Sequence, residues 1–233
     1  MSETIRTPFE LSFPDLEAEL VRSEYEKANV ILEYGSGGST VLAGSMCGKR
    51  IFSVESDKEW AIRLQAHVDS KDLPSPTTIS YVNIGPTGEW GRPIDNTFWT
   101  EFYNYPLSIW DEPFFRHPDV VLIDGRFRVA CMLATIKRIT RPVTVLFDDY
   151  RDRRPYQLIE QWIEPKEFVG RMAVFKVSPD LIVPNDIKMT IEALSQVTYA
   201  SQLAHYHQGV DEAIRLRRSE LQGRQNGSKG SNT

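Results

Sequence analysis

The chain has 233 residues with 32 acidic and 27 basic side chains, a formal net charge of −5, so no global field draws it to nucleic acid or to an anionic membrane. The length suits one large α/β domain, and no stretch is apolar enough for long enough to span a bilayer. The opening residues lack the pattern of a secretion signal, and two cysteines suit a reduced compartment, so a cytoplasmic location is the expectation.

Pro14-Asp15 opens an amphipathic helix with Leu16, Leu20, Val21 and Tyr25 on its apolar side and Glu17, Glu19 and Glu24 toward water. It is expected at an edge of the sheet, with a lid over a ligand pocket as the alternative. Val30, Ile31 and Leu32 form an apolar run without alternation, as in a parallel strand covered on both faces, and the strand is expected to stop near Tyr34, before glycine. Gly35, Gly37 and Gly38 let the main chain approach a ligand closely. Ser39 or Thr40 then begins a helix over Val41, Leu42, Ala43 and Met46, whose first amides lie unpaired beside the glycine turn. A turn of this kind at the carboxyl edge of a parallel sheet is a ligand site.

Three ligands compete for it. A phosphate-cradling nucleotide loop requires a lysine followed by serine or threonine after its glycines, and none occurs. A dinucleotide fold places a third glycine where this chain has Thr40, which crowds the helix against the strand. Glu33 at the strand end, followed by Gly35 and Gly37, resembles the first motif of class I S-adenosylmethionine-dependent methyltransferases. The resemblance implies a three-layer Rossmann-like fold with a mostly parallel sheet and an antiparallel terminal strand. It also implies that Gly35, Ser36, Gly37, Ser39 and Thr40 hold the methionyl part of the cofactor, with Glu33 near its ammonium group.

Residues 50–54 give a second strand ending at Glu55, about 20 residues beyond the glycine loop, where a carboxylate can accept both hydroxyls of a ribose. That reading suits a nicotinamide cofactor equally well. Asp57 caps a helix over residues 58–68, with Trp60, Leu64 and Val68 on its apolar face. Residues 78–82 form a third strand, and the resemblance offers Asn83 just after it as an adenine contact. Residues 85–116 are too long and too aromatic for a plain connection, and a structured insertion that shapes the acceptor pocket is expected, with Trp90 and Trp99 as its test positions. A self-packed excursion is the alternative.

Residues 120–123 and 143–147 restore the buried-strand pattern, ending at Asp124-Gly125-Arg126 and Asp148-Asp149 around an intervening helix. Adjacent parallel strands deliver such terminal side chains to one crevice. These two strand ends resemble those of class I O-methyltransferases, some of which bind Mg²⁺ through aspartates there; the resemblance implies a possible Mg²⁺ set of Asp124, Asp148 and Asp149. A histidine found after the Asp-Gly turn in one related branch is Arg126 here. The three carboxylates can instead divide the work, with Asp124 facing the cofactor or acceptor, Asp148 near the transfer site and Asp149 capping the next helix. Arg126 and Arg128 suit an acidic acceptor or neutralise these carboxylates.

A further helix is expected from Pro155, then strands around 168–169 and 172–177, and a helical region at 186–222 that covers the sheet, closes the pocket or joins a second subunit. Residues 1–222 are read as a single domain and 223–233 as a flexible tail. Cys47 and Cys131 both fall in predicted helices, most simply as buried apolar groups. The functional expectation is methyl transfer from S-adenosylmethionine to oxygen of a small or medium molecule, with Asp124, Arg126 and Asp148 as the candidate catalytic group. A dinucleotide oxidoreductase and a catalytically inactive cofactor-binding or interaction protein are the alternatives.

Overall fold

The computed structural model describes residues 9–181 and 187–200. Helix α1 (Asp15–Lys27) leads into strand β1 (Val30–Tyr34), followed by α2 (Gly38–Ser45), β2 (Arg50–Glu55), α3 (Lys58–Ser70) and β3 (Thr77–Tyr81). The aromatic insertion then carries three short 3₁₀ turns and the one-turn helix α4 (Asn104–Leu107). After it come β4 (Val120–Ile123), α5 (Arg128–Arg138), β5 (Val143–Phe147), a 3₁₀ segment at Arg154–Gln161, the hairpin β6 (Glu167–Val169) and β7 (Met172–Val177), and α6 (Ile187–Ser195).

The seven strands form one sheet in the order β3-β2-β1-β4-β5-β7-β6. Strands β1 to β5 are parallel, and β7 enters antiparallel to β5 with β6 antiparallel beside it. This is the three-layer arrangement with an antiparallel end that the sequence led us to expect. Register sets Tyr34 level with Val54 and Ile123, and Ile123 level with Phe147. Consequently Gly35, Glu55, Asp124 and Asp148 all leave the sheet at one edge.

Alternation along the strands splits the core into two layers. Leu32, Tyr34, Phe52, Val54, Val121, Ile123, Val145 and Phe147 face α5 and the insertion, which contributes buried Phe102, Tyr105 and Ile109. Ile31, Ile51, Val120, Leu122, Leu146 and Val174 face α1 and α2. The first helix therefore packs on a face of the sheet through Val21 and Tyr25, where an edge position was expected. Its polarity also differs from expectation: Leu16 is 62% exposed, whereas Glu17 is buried and accepts the Arg171 backbone N–H at 2.8 Å. A buried carboxylate is tolerable when the backbone supplies its donor.

Other departures are local. The segment from Pro155 is 3₁₀ rather than α-helical, and within the helical region expected at 186–222, α6 ends at Ser195. Cys131 is buried in α5, but Cys47 is exposed in the turn after α2. The rest of the expected C-terminal helical region and the tail lie outside the described residues. Among the described residues no helix is long and apolar enough to cross a membrane.

Candidate functional site

A cavity of about 540 Å³ opens at the carboxyl edge of the parallel strands. Its floor is the glycine turn from Gly35 to Ser39, its sides are Glu55-Ser56-Asp57 on β2 and Asp124-Gly125-Arg126 on β4, and Trp60, Trp90, Gly91 and Tyr105 wall it further. The size lies within the range of about 300–1,000 Å³ typical of small-molecule and cofactor sites. Residues 10–13, just before α1, close one side.

The glycine turn is held open from beneath. On β1 the pleat sends Leu32 and Tyr34 to one face and Ile31 and Glu33 to the other, so Glu33 points toward α1 and α2, away from the cavity. Fully buried, it accepts from the Tyr25 hydroxyl at 2.6 Å and the Thr40 hydroxyl at 2.5 Å. Thr40 Oγ1 in turn accepts the Gly37 N–H at 3.0 Å. Burial raises the carboxyl's pKa, and these donors resist the shift. The expected contact from Glu33 to a cofactor's ammonium group is thus corrected to support of the loop through Thr40, which is itself fully buried and absent from the cavity wall.

At the neighbouring tip, the backbones of Gly35 and Gly125 meet so closely that a Cβ on Gly35 would lie 2.6 Å from the Gly125 nitrogen; Gly35 also adopts φ +100°, which favours glycine. Glu55 spans two turns. One oxygen accepts the Ser56 and Asp57 N–H groups at 2.7 and 2.9 Å, and the other accepts the Ser36 N–H and hydroxyl at 3.3 and 2.9 Å. Trp60 Nε1 donates to the Ser36 carbonyl at 2.9 Å, while Asp57 caps α3 by accepting the Trp60 N–H, as expected. Asn83 does not reach the cavity. It is exposed, and its Oδ1 accepts the Gly85 N–H at 3.0 Å, a turn contact that corrects its assignment to adenine. Ser56, Trp90 and Gly91 line the cavity next to Glu55, with the Ser56 hydroxyl donating to the Gly91 carbonyl at 2.8 Å. Nothing in local sequence pattern marks that pairing, because it joins residues 35 apart.

The acidic tips divide unequally. Asp124 lines the cavity, and burial pushes its pKa up to about 7; nearby Asp148 and Asp149 add to the rise while Arg128 opposes it from 3.0 Å. Asp148 is 1% exposed and bound through both oxygens by Arg171, at 2.9 and 2.7 Å. Asp149 accepts from Arg153 at 2.8 Å and lies 3.2 Å from Arg171; it caps no helix. Among the described residues no cluster of three metal-binding side chains occurs. Both oxygens of Asp148 and of Asp149, and Oδ1 of Asp124, lie against guanidinium groups, so the donor set does not fit a divalent cation; Asp148 does not line the cavity and is withdrawn from the transfer site. Arg128 is likewise committed. Its nitrogens donate to the carbonyls of Gly125, Asp124 and Asp148 at 3.0, 2.6 and 2.6 Å, stapling the β4 and β5 tips. Arg126 lines the cavity wall.

The sheet order, with an antiparallel strand beside β5 and a glycine turn after β1, defines the class I S-adenosylmethionine-dependent methyltransferase fold. No model of a protein family matches the chain, and no curated protein matches it. Among solved structures, a methyltransferase-like protein from Silicibacter pomeroyi is 46% identical, with 82% of this chain and 99% of that one covered and a TM-score of 0.78. The chain belongs to the family of that methyltransferase-like protein. An O-methyltransferase from Bacillus cereus (14% identical, 64% and 62% covered, TM-score 0.43) and an RNA methyltransferase from Salinibacter ruber (14%, 76% and 99%, TM-score 0.42) are far more distant and decide nothing about the acceptor.

Proposed function

We propose that this protein transfers a methyl group from S-adenosylmethionine to an oxygen atom of a small or medium-sized molecule. The observation that carries the reading is the open cavity between the Gly35–Ser39 turn, Glu55 and Asp124, in a chain 46% identical to a methyltransferase-like protein. The residues present fit the cofactor: glycines clear the floor, Glu55 offers carboxylate oxygens at the second strand tip, and Trp90 adds an aromatic face. Bound there, S-adenosylmethionine supplies an electrophilic methyl carbon.

The chain's own residues do the rest. The turn and Glu55 fix orientation, the first requirement of an in-line transfer. The Ser36 hydroxyl on Glu55 is the donor a ribose hydroxyl replaces most simply, since the other three donors are backbone N–H groups. Asp124 is the base for the acceptor's proton, because a carboxylate with a pKa near 7 is both available at neutral pH and able to hold a proton. Arg126, two residues on, orients the acceptor. No metal step is needed in this scheme.

The test is transfer of labelled methyl from S-adenosylmethionine to a panel of hydroxylated acceptors, beside binding of NAD to the same protein. The reading predicts label on an acceptor oxygen and no NAD binding. NAD binding without S-adenosylmethionine binding would overturn it in favour of an oxidoreductase; cofactor binding with label on nitrogen or carbon would overturn the choice of oxygen.

A further inference from the structure

Around the tips of β4 and β5, guanidinium groups outnumber the carboxylates that pair with them. Asp124 is matched by Arg128 at 3.0 Å, Asp148 by Arg171 at 2.7 Å and Asp149 by Arg153 at 2.8 Å. Two arginines are left over. Arg92 is only 9% exposed, and its Nε and one terminal nitrogen are buried without a hydrogen-bond partner among the described residues. Arg126 has a buried Nε in the same condition.

The two lie within each other's field, and both have their pKa lowered first by burial and then by neighbouring guanidinium groups; the exposed Glu89 relieves Arg92 only slightly. Guanidinium does not shed its proton in a protein, so Arg92 remains charged where water is scarce, and Arg126, half-buried on the cavity wall, keeps its charge with its Nε enclosed. Buried cations of this kind are stable companions only of an anion. Nothing among the described residues supplies one.

Position indicates what does. Arg126 borders the large cavity beside Asp124 on one side and, on the other, a cleft of about 20 Å³ shared with Pro93, Arg128, Tyr156 and Gln196; Arg92 itself lines neither, but its chain neighbours Gly91 and Pro93 line the cavity and the cleft respectively. The Gln196 side-chain oxygen is also buried without a partner, and turning that amide end for end would present N–H groups to the cleft instead. We infer that Arg92 and Arg126 form a recognition site for the anionic end of the acceptor, a carboxylate or phosphate monoester, which holds the acceptor's hydroxyl against Asp124. The existence of the anion site stands on the unpaired arginines; its role as the acceptor's anchor rests on the methyl-transfer reading. A polynucleotide backbone is a poor occupant, since contacts to it come from exposed basic groups and Arg92 is almost wholly enclosed.

Titration of inorganic phosphate and of benzoate into the full chain, with and without saturating S-adenosylhomocysteine, tests the site. The expected result is saturable binding of at least one anion, weakened tenfold or more in both Arg126→Gln and Arg92→Gln, with S-adenosylhomocysteine affinity in Arg92→Gln changed less than twofold. Arg92→Met guards against unfolding: it keeps bulk, removes an unpaired charge and is expected to melt no lower than the parent while losing the anion. No saturable anion binding by the parent, binding undiminished in the variants, or a lower melting temperature for Arg92→Met would overturn the proposal. Anion binding without any binding of S-adenosylhomocysteine would uphold the site and overturn the methyl-transfer reading, whereas the converse would overturn the site alone.

Discussion

Asp124 and Glu33 show how much the pleat of a strand decides. Both are acidic residues at strand tips, yet one lines the cavity and the other is sealed under α2. Sequence spacing identified both as tip residues; it did not tell their faces apart, because that depends on which layer each strand turns toward after neighbouring strands have paired. Asp124 carries a testable consequence for stability. Its folded pKa of about 7 lies above the ordinary carboxylate value, so between about pH 4 and 7 the folded state holds a proton that the unfolded chain has released. Stability from this group is therefore fully present below pH 4 and is lost as pH rises through 7. Urea denaturation of Asp124→Asn beside the parent, from pH 5 to 8, should show the variant's relative stability increasing up to about pH 7 and then levelling. A pH-independent difference would show that Asp124 titrates normally. Thr40→Val makes a complementary case: it removes one donor to buried Glu33 and the acceptor for the Gly37 N–H, and is expected to cost about 1–3 kcal/mol in the same assay.

At the scale of elements, the glycine turn contains three glycines with different duties. A Cβ at Gly38 would collide with the Glu10 carbonyl, so Gly38→Ala should push residues 10–13 off the cavity and destabilise the chain by about 1–3 kcal/mol. Gly37 has an extended backbone and open space around its missing Cβ, so Gly37→Ala is expected to leave the melting temperature nearly unchanged while weakening S-adenosylmethionine binding. Equal effects of the two changes on thermal unfolding would contradict this division. The insertion divides in the same way. It was legible as structured from its aromatic content, and Phe102, Tyr105 and Ile109 do enter the core. Trp90 was offered together with Trp99 as a pocket residue, but only Trp90 lines the cavity; Trp99 stands 67% exposed away from it. The difference arises at Gly91, whose φ of +67° turns the chain back against Ser56, a long-range contact with no local signature. Ligand titration should find Trp90→Ala impaired and Trp99→Ala close to the parent.

For the whole molecule, the parallel strands and their tips were readable because buried runs ending in Gly or Asp leave few alternatives. Strands β1, β4 and β5 begin and end at the residues expected, and the antiparallel end of the sheet follows. What local pattern does not encode is the charge pairing across the tips: Arg171 on the far hairpin reaches Asp148, 23 residues away, and takes up both of its oxygens. The same surplus of arginines that closes the metal site leaves Arg92 and Arg126 for an anion. The central claim, that the cavity at these tips holds the methyl donor, is tested most directly by a crystal structure of the protein soaked with S-adenosylhomocysteine. The account predicts the ribose at Glu55, the amino-acid tail over the Gly35–Ser39 turn and the sulfur directed toward Asp124. Ligand density at another place on the protein, or a cavity that stays empty at saturating concentration, would contradict it.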